Sequence, residues 1–165
     1  MKLWKFWEMD KTEFANSTPE MALILAAGLG SRLRPQTKTP KPLTWVLGLT
    51  LAERVVCTLL DVGVRRFLVT LGHEAETVKA HFSYIARRRG VTIDFIEAEN
   101  WERGNGASAL AANGRTGEAP FFLIMIDHLF DPEIGWALAN DPPAPGEMRL
   151  AVDRDKDAIF DLDEI

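Results

Sequence analysis

The sequence predicts an α/β fold, a mostly parallel sheet covered by helices on both faces. Three observations predict it. Short apolar runs alternate with helix-period segments in the order β-α-β-α-β-α-β-α-β-β. The first run, "MALILAA" (21–27), is continuously apolar, as a strand buried on both faces is. It passes straight into a glycine loop, the usual exit from a parallel strand into a ligand-binding turn.

The elements follow in order. "LAERVVCTLLDVGV" carries apolar residues at 51, 55, 56, 59 and 60, a helical spacing that stops at Gly63. "RRFLVTLG" (65–72) reads as the second strand. "EAETVKAHFSYIARRRG" reads as a helix with Val78, Phe82 and Ile85 on one face. "VTIDFIEAE" (91–99) alternates as a strand does, and "GASALAANG" is a short helix closed by Gly114. "APFFLIMID" (119–127) is the most hydrophobic run and is expected at the centre of the sheet. "DPEIGWALAN" opens with Asp131 as N-cap and Pro132 at the first helical position. "NDPPAPGE" (140–147) reads as an exposed connection, and "MRLAVD" and "AIFDLDE" as two last strands. The domain is therefore expected over 21–165, after an extension formed by 1–20.

Composition narrows the classes of function. A chain of 165 residues can bury a real core, and a net charge of −5 argues against general binding of nucleic acid. The densest basic run, Arg87 to Arg89, precedes Gly90 at a helix end, where cations meet the negative pole of the helix dipole. Cys57, the single cysteine, falls within an apolar helical stretch and reads as a buried thiol rather than a nucleophile. No run approaches the roughly 18 apolar residues that a transmembrane segment needs, and the start lacks the pattern of a signal peptide. Trp4, Phe6 and Trp7 are expected to rest on the domain itself. The protein is expected in the cytoplasm.

Ligands of open parallel sheets bind beyond the carboxyl ends of the strands, so the loops after 25, 71, 98 and 127 should converge. The first of them, "LAAGLGSRLRPQTKTPKPL" (25–43), crowds glycine, proline and positive charge together in an acidic chain. It fails the dinucleotide fingerprint, because Gly28 and Gly30 are followed by Leu33 where a third glycine belongs. It also lacks the Gly-Lys-Ser/Thr of a P-loop. A third arrangement fits: Gly28 and Gly30 let backbone N–H groups approach a phosphate, and Arg32 and Lys41 add fixed charge. The prolines at 35, 40 and 42 stiffen the loop that carries it. Arg34 and Lys38 read as solvating charges on that loop.

With G-x-G-x-R-x-x-P followed by P-K-P-L, this stretch resembles the signature of nucleotidyltransferases that join a nucleoside triphosphate to a phosphomonoester and release pyrophosphate. The resemblance implies a Rossmann-like fold of the nucleotide-diphospho-sugar transferase type. It further implies that the backbone of Leu25, Ala26, Ala27 and Gly28 cradles base and ribose. Gly30, Ser31 and Arg32 would hold the departing phosphates, and Lys41 would bridge the α-phosphate and the acceptor. Asp127, at the end of "FFLIMID", would bind Mg²⁺, although Ile126 stands where the family usually has Gly. The plainer role for such a carboxylate, capping a turn, is better met by Asp131. His128 reads equally well as an orienting residue or as a satisfied buried histidine.

"NWERGNGASALAA" (100–112) would bring Gly104, Asn105 and Gly106 against the base edge. The run W-E-R-G-N-G-x-S, with Asp-His after the fourth strand, is similar to inositol-1-phosphate cytidylyltransferases. CTP and inositol-1-phosphate are then the expected substrates, with a sugar-1-phosphate transferase or a noncatalytic nucleotide-binding module as the alternatives. A homo-oligomer stays open. The resemblance also implies a second metal-binding Asp far downstream. Asp161 and Asp163 do not match its position, which leaves a portion of a longer domain and a shortened protein as the two readings.

Overall fold

The computed structural model describes residues 18–30 and 39–153. β1 (Met21–Leu25) leads towards a 3-10 turn at Lys41–Leu43 and a small antiparallel hairpin of β2 (Trp45–Val46) and β3 (Leu49–Thr50). Helix α1 (Leu51–Val62), β4 (Arg66–Leu71), α2 (Ala75–Arg89) and β5 (Thr92–Glu97) follow. A second 3-10 turn (Trp101–Arg103), α3 (Asn105–Leu110), β6 (Phe122–Met125) and α4 (Pro132–Ala139) complete the described elements.

The main sheet is parallel, in the order β5-β4-β1-β6. Alternation along β1 divides its side chains between two cores. Ala22 and Ile24 face the layer of α1 and α2 with Val55, Val56, Leu59, Val78, Phe82 and Ile85, all essentially inaccessible. Leu23 and Leu25 face the opposite side with Leu68, Ala112 and Met125, beneath α3. Helices thus cover both faces, as the sequence leads one to expect. The chain runs from β1 outward to β4 and β5, then crosses under α3 to β6 on the other side of β1. The order therefore reverses between β1 and β6, and it is beyond the carboxyl ends of the strands at such a switch point that open parallel sheets bind ligands.

Local signals explain the helix boundaries. Thr50 caps α1, its hydroxyl accepting from Glu53 N–H at 3.2 Å, and Gly63 ends it. Asp131 caps α4 with Pro132 in the first turn. The basic end of α2 does more than meet the helix dipole. Arg89 donates to Glu53 of α1 at 2.8 Å, a carboxylate whose side chain is only 6% exposed, so the pair ties the two helices together. Cys57 is half-buried between these helices, and burial pushes its thiol up, which matches an unreactive side chain.

His81 of α2 completes this junction by hydrogen bonding through Nε2 to Thr50 Oγ1 at 2.8 Å. Burial lowers its pKa below 6.5, with the Glu53 charge working in the opposite direction. A histidine lowered in the folded state binds fewer protons than in the unfolded chain, so stability rises with pH through this window. The contribution is complete above about pH 6.5 and is lost as pH falls toward the folded value. Melting temperature against pH should therefore slope more steeply between pH 5 and 7 for the wild type than for His81→Gln. Parallel curves would remove His81 from the pH dependence.

Three expectations are corrected. The strand within 119–127 is confined to Phe122–Met125 and pairs only with β1 among the described residues, which puts it at the edge rather than the centre of the described sheet. Its apolar character serves the two faces of the sheet, and Leu123 remains 54% exposed. The stretch "MRLAVD" forms no strand: 147–153 has no regular structure, and Arg149 holds it to Asp141 and Glu147 at 3.0 and 3.1 Å. Its alternating apolar residues meet no described strand to pair with. The helix expected up to Gly114 ends at Leu110 and tapers through tight turns, as Ala112 and Asn113 N–H bond three residues back. The hairpin at 45–50 has no periodic signal in the sequence. Its turn places both Leu47 and Gly48 at positive φ, and Arg54 of α1 clamps it by donating to the Val46 and Leu47 carbonyls at 2.5 and 2.6 Å. Residues 1–17 of the expected extension, with Trp4, Phe6 and Trp7, and the strand expected in "AIFDLDE" lie outside the described residues.

Candidate active site

The carboxyl ends of β1, β4, β5 and β6 are stitched together by backbone hydrogen bonds. Ala26 N–H donates to Thr70 O at 3.1 Å, Ile126 N–H to Leu25 O at 3.1 Å, and Ala98 N–H to Leu71 O at 2.8 Å. His73 N–H donates to Ala27 O at 3.0 Å. Leu25, Ala26 and Ala27 are buried, and the chain emerges at exposed Gly28. Leu25 to Ala27 thus form a hydrogen-bonded ledge with buried side chains that ends at Gly28.

Lys41 and Asp127 meet at this end of the sheet. Lys41 Nζ donates to Asp127 Oδ2, joining residues 86 apart in sequence. Pro40 and Pro42 bracket Lys41 in its 3-10 turn and fix the direction of the stem. Asp127 lies in the turn after β6, immediately past buried Ile126. Burial alone would raise the Asp127 carboxyl, but the hydrogen bond and charge of Lys41, with a backbone N–H, hold it below the ordinary carboxylate value. The result is an ionised carboxylate at the rim, its side chain 36% exposed, beside a pre-aimed ammonium.

Gly30 makes this packing feasible. It sits at φ 66°, and a Cβ there would fall 2.8 Å from Lys41 Cβ. Gly30→Ala should therefore displace the lysine stem and cost about 1–3 kcal/mol of strain. Gly28→Ala, with nothing within 4 Å of its Cβ, should leave the melting temperature unchanged. Equal melting temperatures for the two variants would show that Gly30 is not under this constraint.

The third expected element arrives from β5. Gly104, Asn105 and Gly106 are exposed at the start of α3, and Asn105 Nδ2 donates to Met125 Sδ at 2.9 Å, which ties this loop to the end of β6. His128 is exposed rather than buried. Ser31 and Arg32, together with Arg34 and Lys38, lie outside the described residues. Sequence reasoning missed Gly72. It lies between the Ala27 carbonyl and the Trp101 ring, so close that a Cβ would stand 2.7 Å from the oxygen and 2.5 Å from Trp101 Cγ. A glycine directly after an apolar strand was the available signal.

A parallel sheet with its switch point at β1 and β6, a backbone ledge, and a lysine and carboxylate facing each other define an open α/β domain with polar groups gathered at its switch point. The chain belongs to the MobA-like NTP transferase domain family, whose model matches residues 22–157. It is 42% identical, over 68% of its length, to a bifunctional IPC transferase and DIPP synthase of Rubrobacter xylanophilus, and 36% identical to the counterpart in Aquifex aeolicus. It is 35% identical over 72% of its length to a 2-aminoethylphosphonate cytidylyltransferase of Lancefieldella rimae. Among solved structures, the inositol-1-phosphate CTP transferase from T. maritima superposes with a TM-score of 0.59 at 29% identity, over 68% of this chain. The chain spans 24% and 26% of the two bifunctional relatives, 49% of the cytidylyltransferase and 45% of the solved transferase. Among the described residues, no helix is long and apolar enough to cross a membrane.

Proposed function

We propose that this domain transfers a cytidylyl group from CTP to inositol-1-phosphate, releasing pyrophosphate. The observation that carries the reading is the Lys41–Asp127 pair at the switch point, directly beside the Leu25–Gly28 ledge. The similarity to the inositol-1-phosphate CTP transferase and to the bifunctional IPC transferases supports the choice of base and acceptor.

The reaction is an in-line displacement, in which an acceptor phosphate oxygen bonds to the α-phosphorus as the bond to the bridging β-oxygen breaks. It needs positioning and charge neutralisation more than covalent participation by the protein. Lys41 holds the α-phosphate and the acceptor phosphate together against their mutual repulsion. Gly30, Ser31 and Arg32 receive the departing pyrophosphate, and the ledge with Gly104, Asn105 and Gly106 holds the nucleoside. Among the described residues no three His, Cys, Asp or Glu side chains cluster, so an all-protein metal cage is not the arrangement to expect there. A single ionised carboxylate at the rim fits Mg²⁺ held by Asp127 and substrate phosphates. When bound, the ion would neutralise phosphate charge.

A second reading has its own support, since the chain is 32% identical to a UTP--glucose-1-phosphate uridylyltransferase of Haloferax volcanii over 69% of its length. Pyrophosphate release should be followed with each of the four triphosphates, paired with inositol-1-phosphate or glucose-1-phosphate. Turnover confined to CTP and inositol-1-phosphate is expected. Turnover only with UTP and the sugar phosphate would transfer the assignment to that reading, and binding without turnover would make the chain a nucleotide-binding module.

A further inference from the structure

The contact between Gly72 and Trp101 joins the two walls between which the nucleoside is placed. On one side, Ala27 O accepts from His73 N–H, so the ledge is fixed to the loop that follows β4. On the other, Trp101 opens the 3-10 turn that delivers Gly104: Trp101 N–H donates to Ala98 O at 3.2 Å and Gly104 N–H donates back to Trp101 O at 3.1 Å. Between the walls, Trp101 rests on the Cα of Gly72, and the missing Cβ of Gly72 is what permits the approach. The His73 ring packs beside the indole at a centroid separation of 5.8 Å and holds it from the flank. The indole is therefore a rigid spacer, immobilised on two sides.

We propose that Trp101, seated on Gly72, is a positioning residue that fixes the separation between the Ala27 ledge and the Gly104–Gly106 loop, and thereby selects a pyrimidine over a purine base. The inference rests on the nucleotidyl-transfer reading and adds to it the element that sets base size. A slot of fixed width discriminates by excluding the larger ring, whereas a slot free to open accepts both. Nothing in Trp101 needs to touch the base, since its effect passes through the backbone of the loop it begins.

Calorimetric titration of the full chain with CTP and ATP, alongside thermal melting, tests this for the wild type, Trp101→Phe, Trp101→Ala and Gly72→Ala. The wild type should favour CTP. Trp101→Ala should lower the ratio of CTP to ATP affinity by about tenfold or more with the melting temperature nearly unchanged, and Trp101→Phe should recover most of the ratio. Gly72→Ala should also lower the ratio of CTP to ATP affinity, because its Cβ would push the indole and the ledge apart and widen the slot. If that variant does not fold, the two Trp101 variants decide alone. Equal weakening of CTP and ATP in Trp101→Ala, no change in either, or a wild type that binds both alike would overturn the spacer. A wild type that binds no triphosphate would instead overturn the nucleotidyl-transfer reading beneath it.

Discussion

Replacing Lys41 by alanine should lower kcat/KM for nucleotidyl transfer by about 10²–10³-fold while the fold stays intact. The size of the effect follows from pre-organisation. Lys41 is bracketed by two prolines, packed against Gly30 and aimed by Asp127, so its charge is in place before substrate arrives. Removing such a donor costs on the order of 3–4 kcal/mol of transition-state stabilisation. The cost to stability should be small, because the pair is partly solvated and ion pairs of that kind contribute about 0–1 kcal/mol. Steady-state kinetics with a thermal melt separates the two effects. A loss below about tenfold, roughly 1.4 kcal/mol, would place the catalytic charge elsewhere.

If Asp127 holds Mg²⁺ as proposed, Asp127→Asn should abolish metal-dependent turnover with little change in melting temperature. Asparagine keeps the shape of the side chain and part of its hydrogen bonding, but a hard dication loses its anionic ligand. The same change releases Lys41 from its ion pair, so the lysine is no longer aimed. The two substitutions should therefore combine well short of additively in a double-mutant cycle. Turnover that survives Asp127→Asn with an unchanged Mg²⁺ dependence would mean that the metal sits on another carboxylate.

Much of the fold was legible because its signals are local. The helix from Leu51 to Val62 announces itself by apolar spacing and a glycine stop, and α4 by Asp131 and Pro132. The parallel strands are legible as apolar runs that end in loops. Features made by contacts between distant segments were not. Two-residue strands such as Trp45–Val46 are too short to carry a period, so the hairpin was invisible. Apolar content placed "APFFLIMID" at the centre, yet strand order depends on which neighbours pair, and β6 pairs with β1 on one side. At the site, residue types were readable and partnerships were not. Lys41 and Asp127 could each be nominated, but their ion pair joins loops 86 residues apart in sequence. The seat of Trp101 on Gly72 exists only once β4 and β5 have aligned.

The position of β1 between β4 and β6 has a consequence for the time course of folding. During synthesis, β1, α1, β4, α2 and β5 emerge first, and each pairs or packs with a near neighbour in sequence. The other flank of β1 must wait for β6, and the Lys41–Asp127 contact closes a span of 86 residues. A nascent chain can thus hold a nearly finished half-sheet while its chemistry is still absent. A triphosphate that binds only the completed site, as proposed, would then draw the last docking step forward by mass action and would act as a folding aid for its own site.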